Sequence, residues 1–275
     1  MLVKTLTGST KYTNEQISKP CQQLLVTVNL PTTGLSLIAA TAMCQALITG
    51  DSYTIDLYKQ ASDGQMYFAR KASLYYLMEI CHNKNGFIRV LQDNRASGGV
   101  LLYNWTVQGF IDLSHDGSIP FSQNDYLQLN LNDCDSGATI DIYTKTTEDI
   151  AKTSISYEFQ ANGAGSSPAT LVTAGYEFLY LTKSDLDKVS ISYVDGLTDE
   201  MDSTELAADC DNMNTIVRLT TTDPVNNVTT GTYGSDQLFQ VPLIDIAGKP
   251  IMSKVELFLN GNNAYPYILL RTKSL

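Results

Sequence analysis

The sequence offers little from which to build a reactive centre. It holds two histidines, His82 and His115, and one tryptophan, Trp105, in 275 residues. A histidine-rich metal centre of the double-barrel dioxygenase kind needs an HxH pair, a carboxylate and a further histidine, and that set is missing. Neither histidine has a Ser, Cys or Asp placed beside it in sequence to activate, so no hydrolytic triad is expected. His82 is expected to complement a helix C-terminus, and His115 lies in a polar loop. The glycine pairs Gly98-Gly99 and Gly163-Ala164-Gly165 lack the spacing and the following helix of a phosphate-binding loop. The five cysteines (Cys21, Cys44, Cys81, Cys134 and Cys210) are odd in number and contain no CxxC. Free thiols in a chain folded in a reducing cytoplasm are expected. The longest apolar run, Leu35–Ile48, is broken by Ser36, Thr41 and Gln45, too short and too polar to span a bilayer. Met1–Pro20 has no apolar core, so no secretory signal is expected. Only 17% of residues are charged, and acids outnumber bases by 29 to 18, a net charge of −11. Such a surface repels phosphates, so no direct nucleic-acid partner is expected.

The acids themselves form no site. Asp133-Cys134-Asp135-Ser136-Gly137 has the DxDxG spacing that opens a calcium loop, but the later ligands are absent and the residue types are those of a turn. Asp199, Glu200, Asp202 and Glu205 gather at a helix start, where negative charge is favourable in its own right. Nothing singles out a glycosidase pair among the 29 acids. The sequons Asn104-Trp105-Thr106 and Asn227-Val228-Thr229 carry no weight without a secretory signal. No catalytic, cofactor-binding or metal-binding residue is expected, and no enzyme activity.

What the sequence has is strand. Sixteen tyrosines and many threonines, with few charges, suit extended chain. In Tyr126–Lys145, Leu127, Leu129 and Leu131 alternate with Gln128 and Asn130. Past an Asp/Ser/Gly loop, Ile140 and Ile142 alternate with Asp141 and Tyr143. This is a period of two, one face on a core and one toward water. Shifted by 128 residues without a gap, the stretch falls on Lys254–Lys273. Leu127, Leu129 and Leu131 land on Val255, Leu257 and Leu259; Ile140 and Ile142 land on Ile268 and Leu270; Thr144-Lys145 lands on Thr272-Lys273.

The correspondence extends upstream. Strand Tyr53–Leu57 maps on Val189–Tyr193, and turn Asp63-Gly64 on Asp195-Gly196. An amphipathic helix within Lys71–Asn83 (Leu74, Leu77, Met78 and Cys81 on one stripe) maps on a helix at Ser203–Met213, which opens with the Asp202/Glu205 capping box. Gly86 is expected to terminate the first helix. Further strands are expected at Gln22–Leu30, Phe87–Leu91, Val100–Leu113, Ser154–Gln160, Leu171–Leu181, Thr215–Thr221 and Leu238–Ile246. Leu35–Thr49 reads as an extended buried segment. Asp93–Gly99 and Thr222–Asp236 read as loops, and Thr146–Thr153 as a linker. The organisation expected is a basic N-terminal arm over 1–20, one β domain over 21–148 and its duplicate over 149–275.

Eight or so short strands per half, with long loops and one inserted helix, describe an all-β chain of two tandem jelly rolls, each an eight-stranded β-sandwich with a short α-helix. On the duplicated strand pairs Tyr126–Lys145 and Lys254–Lys273, and the duplicated helices at Lys71–Asn83 and Ser203–Met213, the chain resembles the double jelly-roll major capsid proteins of tailless icosahedral bacteriophages with an internal membrane. The resemblance implies a structural protein of the virion, folded in the host cytoplasm. Three chains would form a pseudo-hexagonal homotrimer that contacts neighbouring capsomers. It also implies that the arm, with Lys4, Lys11 and Lys19, faces the viral membrane or its proteins. Two other readings follow from the sandwich alone. One is a carbohydrate-binding protein using Trp105 as a platform; the other is a jelly-roll glycan hydrolase using a pair of acids.

Overall fold

The computed structural model describes residues 2–7, 15–32, 35, 37–48, 52–85, 88–97, 100–163, 165, 167–210, 219–223, 228–233, 238–260 and 264–275. Most of them form antiparallel sheet, as the threonine- and tyrosine-rich composition favours. The first half contains β1 (Leu2–Thr7), β2 (Glu15–Ile17), β3 (Gln23–Asn29), α1 (Leu37–Ile48), β4 (Thr54–Ala61), β5 (Gly64–Ser73), α2 (Leu74–Asn85), β6 (Ile88–Ser97), β7 (Val100–Asp112), β8 (Tyr126–Asp133) and β9 (Thr139–Lys145). The second contains β10 (Thr153–Ala161), β11 (Ala169–Leu171), β12 (Phe178–Thr182), β13 (Leu186–Tyr193), β14 (Thr198–Asp202), α3 (Ser203–Cys210), β15 (Leu219–Asp223), β16 (Val228–Tyr233), β17 (Leu238–Pro242), β18 (Met252–Leu259) and β19 (Pro266–Ser274).

Both halves are wound as jelly-roll sandwiches. In the first, β3 pairs with the last strand, β9, and β4 with the penultimate strand, β8. In the second, β10 pairs with β19 and β13 with β18. The hairpins β4–β5 and β13–β14 each turn at an Asp-Gly and run straight into a helix, α2 or α3. Gly64 (φ +144°) and Gly196 (φ +92°) take the positive φ that these turns require. The alternation seen in the sequence sets the cores. Leu24, Val26, Val28, Ile140 and Ile142 of one sheet meet Ile55, Leu57, Leu127, Leu129 and Leu131 of the other. In the second half, Leu179, Leu181, Val241 and Leu269 meet Val189, Ile191, Val255 and Leu257.

The sheet order joins the halves. Sheet β17-β12-β19-β10 continues through a parallel contact, Tyr157 beside Ala69, into β5-β4-β8-β2, eight strands in all. The facing sheets are β1-β9-β3-β7-β6 and β11-β18-β13-β14. The middle of the sheet β17-β12-β19-β10 is covered on both faces. Leu179, Leu181 and Leu269 point into the second core, whereas Tyr157, Tyr180, Ile268 and Leu270 join the first core beside Ile80 and Cys81 of α2.

Five expectations are corrected. Leu35–Thr49 is not extended: Leu37–Ile48 is a helix, so the first half has two helices rather than one. Its alanines (Ala39, Ala40, Ala42, Ala46) favour helix, and its apolar residues lie all round it, leaving no stripe to read. Asp93–Ser97 is strand, paired along β6–β7, rather than loop. Residues within Thr222–Asp236 form strand β16, paired with β15 as a separate two-stranded sheet, since β-branched threonines outweigh the turn formers there. Leu171–Leu181 is two strands, β11 and β12.

The fifth correction concerns the N-terminal arm, which does not reach away from the fold in its described parts. β1 adds to β9 and β2 to β8, burying Leu6 and Ile17. The second half has the same covers from another place in the chain, because β12 flanks β19 and β11 flanks β18. The expected helix terminator Gly86, the end of the second helix beyond Cys210, Thr215–Arg218 and Lys11 lie outside the described residues.

Two outcomes follow from this packing. Deleting residues 1–17 bares the outer edges of β8 and β9, so amide exchange over Tyr126–Leu131 and Thr139–Tyr143 should rise and light scattering should reveal aggregation. A Cβ at Gly109 of β7 would sit 2.8 Å from Met78 Cβ, Cγ and Sδ of α2. Gly109→Ala should therefore destabilise the chain by about 1–3 kcal/mol in a denaturant titration.

Candidate functional site

The residues whose chemistry stands out in the sequence are employed in holding the fold. Asp135 of the DxDxG loop accepts a hydrogen bond from the Tyr53 phenol at 2.8 Å, and Gly137 (φ +85°) makes the turn. Among the described residues, no group of three or more His, Cys, Asp or Glu side chains is placed to hold a metal. Asp202 and Glu205 form the reciprocal capping box. Asp202 Oδ1 accepts from the N–H groups of Thr204 (2.7 Å) and Glu205 (2.9 Å), while Glu205 Oε2 accepts from the Asp202 N–H (3.0 Å). Trp105 is 1% exposed and its backbone N–H donates to Thr32. It is no platform for a sugar, which removes the observation behind the carbohydrate-binding reading. The side chains of His82 and Asn104, and the whole of Asn227, lie outside the described residues.

The structure does gather one set that spacing along the chain conceals. A hollow of about 280 Å³ between the halves is lined by Cys81, Asp112, His115, Tyr157 and Tyr180, among others. Its members come from α2, β7, the following loop, β10 and β12. The Cys81 sulfur accepts from the Asp112 N–H at 3.2 Å and lies 3.3 Å from the Tyr157 hydroxyl. The Tyr157 hydroxyl donates to the Asp112 carbonyl at 3.0 Å, and the Gln23 amide donates to Asp112 Oδ1 at 2.6 Å. Burial drives the Tyr157 phenol well above its ordinary pKa, with the neighbouring Cys81 and Asp112 adding to it. The phenol therefore stays a neutral donor. Thiol and carboxylate are engaged in joining elements, and Cys81 is 2% exposed.

The linker is fastened beside this junction. Asp116 accepts from the Ser114 hydroxyl (2.7 Å), the Lys152 N–H (3.1 Å), and the Thr153 hydroxyl (3.1 Å) and N–H (3.4 Å). Ser118 exchanges backbone bonds with Asp149 and Ala151. The linker passes so close that a Cβ on Gly117 would lie 2.6 Å from the Asp149 carbonyl oxygen.

On the outer face of the shared sheet, where β5 and β10 meet at one residue pair, a groove of about 530 Å³ opens. Period-two alternation turns Tyr157 inward and leaves Ser156, Glu158 and Gln160 to line the groove, opposite Gln65, Tyr67 and Arg70. The Arg70 guanidinium stacks 3.6 Å from the Tyr67 ring. Arg271 pairs with Glu158, the Tyr176 hydroxyl donates to Glu158, and Lys273 donates to Ser156 at 3.1 Å, its ammonium 3.8 Å from Glu158. Burial, then Arg271 and finally Arg70 lower the Lys273 pKa, with Glu158 opposing them. Arg271 and Lys273 thus share one carboxylate, and Arg70 is near enough to act on Lys273, a local excess of positive charge on a chain of net charge −11.

Fold and junction together define an all-β protein of two tandem jelly-roll sandwiches fixed through a common sheet. No family model and no curated protein matches the sequence. Among solved structures, the major capsid protein P2 from bacteriophage PM2 is similar over 100% of this chain and 95% of its own, at 9% identity and a TM-score of 0.41.

The Asp116 clamp yields a pH prediction. Its hydrogen bonds, the one from Ser114 foremost, hold its pKa at about 2, below the ordinary 3.8. A depressed carboxylate contributes above its unfolded value and loses that contribution as pH falls toward the folded one. The Lys152 and Thr153 amide shifts in NMR should therefore still report the ionised form at pH 3.8, where an ordinary aspartate is half protonated. Asp116→Asn should speed exchange at both amides at neutral pH.

Proposed function

We propose that this chain is the structural unit of an icosahedral viral shell, assembling as a pseudo-hexagonal homotrimer that packs against neighbouring capsomers. The observation that carries the reading is the repeated winding: β3 on the last strand and β4 on the penultimate one in the first half, β10 on the last and β13 on the penultimate in the second. One chain then presents two similar sandwiches, taken as residues 21–148 and 149–275. Three chains present six, the number a hexagonal position in a lattice needs. The shared sheet supports this, because two sandwiches tied edge to edge keep a constant angle, as a tile must. The acidic surface suits a protein that does not itself bind the genome. The protein would fold in the host cytoplasm and reside in the virion. In this reading the N-terminal residues act as edge covers, as β1 and β2, and not as a tether to lipid.

Size-exclusion chromatography with light scattering should give the mass of three 30.2 kDa chains, and negative-stain images should show six-lobed particles. A chain that remains monomeric at high concentration, and never sediments with particles in its native source, would overturn the proposal.

A further inference from the structure

The seam groove has the wrong sign of charge for the molecule it sits in. It is lined by Arg70 on β5 and Lys273 on β19, with Glu158 as the one acid among its lining residues and already paired to Arg271. Glu177 stands behind it, accepting from the Thr272 N–H at 3.0 Å. Copies of a chain carrying −11 repel one another, so a contact that brings opposite charges face to face is favoured. The groove is long and open, its floor being the line where two strands part. That shape suits an extended segment better than a compact ion.

The chain carries a segment of complementary form. β14 is the terminal strand in the order β11-β18-β13-β14, so one of its backbone edges has no neighbouring strand among the described residues. Thr198, Asp199, Glu200 and Asp202 along it are exposed, with only Met201 turned into the core. Asp195 sits in the turn that leads to it, between the exposed Val194 and Leu197. Lys188 offsets one of these charges by pairing with Glu200 at 2.7 Å. No residue of β14 lines its own chain's groove.

We infer that the seam groove receives the acidic edge strand β14 of a second copy, Arg70 and Lys273 facing Asp199 and Glu200. This inference rests on the proposed trimer and assigns its contact. The two surfaces are different, so the contact is head-to-tail and closes into a ring when the rotation between neighbours allows. A self-complementary dimer cannot use it. Because the pairing is ionic and partly exposed, salt weakens it.

Charge reversal tests the contact on the full chain, with circular dichroism verifying the fold of each variant. Arg70→Glu with Lys273→Glu is expected to reduce the mass in solution from three chains to one. Asp199→Lys with Glu200→Lys, at two exposed positions, is expected to do the same even if the groove variant fails to fold. The quadruple variant restores opposite charges in reversed order and is expected to recover the trimer. A wild-type trimer that survives both reversals overturns the inference and leaves the trimer standing. So does a quadruple variant that stays monomeric when both pairs have dissociated it. A wild-type chain that is itself monomeric overturns the proposed function instead.

Discussion

The arrangement depends on one sheet being buried on both faces. A jelly-roll sheet ordinarily gives one face to its core and the other to water. Here β17-β12-β19-β10 gives its second face to α2 and β7 of the other half. Burying a second face brings polar groups inside, and these must find partners or cost about 1–3 kcal/mol each. Tyr157 meets this demand with Asp112 and Cys81, and the Leu238 N–H donates to Glu79, a glutamate with no exposed surface. These bonds have direction, which apolar contact lacks. They fix the angle between the halves as well as holding them together.

The same constraint explains why the two copies of the repeat differ. β9 reads Ile-Asp-Ile-Tyr: Ile140 and Ile142 are buried, and Asp141 between them is not. Its counterpart β19 reads Tyr-Ile-Leu-Leu, and Ile268, Leu269 and Leu270 are all buried. β12, beside it, reads Phe-Leu-Tyr-Leu. A continuous apolar run is what a strand covered on both sides shows. The difference between the copies thus records which of them lies in the middle of the molecule. Where the shared sheet leaves the cover of the second sandwich, at Arg271 and Lys273, the run gives way to charge, and the groove begins.

Much of the fold was legible because it rests on local signals. Period-two alternation located β3, β4, β8, β9 and β18. The Asp-Gly turns located two hairpins, and the capping box located α3. The elements misread are those whose state is decided elsewhere. α1 is apolar on all sides and shows no period. Asp93–Ser97, the second part of β6, and β16 are polar stretches held by a hairpin partner. β1 and β2 sit in a segment that composition alone describes as a polar terminus. The junction was not legible at all, since Cys81, Asp112 and Tyr157 are 31 and 45 residues apart and meet only when the halves dock. The groove was hidden for the same reason: Arg70 and Lys273 come from different halves of the chain.

The covers on the repeated strands show how far the duplication reaches. Each penultimate strand has a short flanking strand, β2 on β8 and β11 on β18, and each last strand has another, β1 on β9 and β12 on β19. In the second half both covers lie between the first strand and the DG hairpin. In the first half α1 occupies that interval, and the covers come from residues ahead of the first strand. The positions in space are the same, but the order in sequence is not. What has been kept is therefore a requirement of the sandwich: β8 and β9 carry unpaired backbone groups on their outer sides and need a neighbour from somewhere. That requirement accounts for β1 and β2. Among the described residues β14 remains an acidic terminal strand and the seam groove a region of excess positive charge, and these are the surfaces that the inferred contact would use.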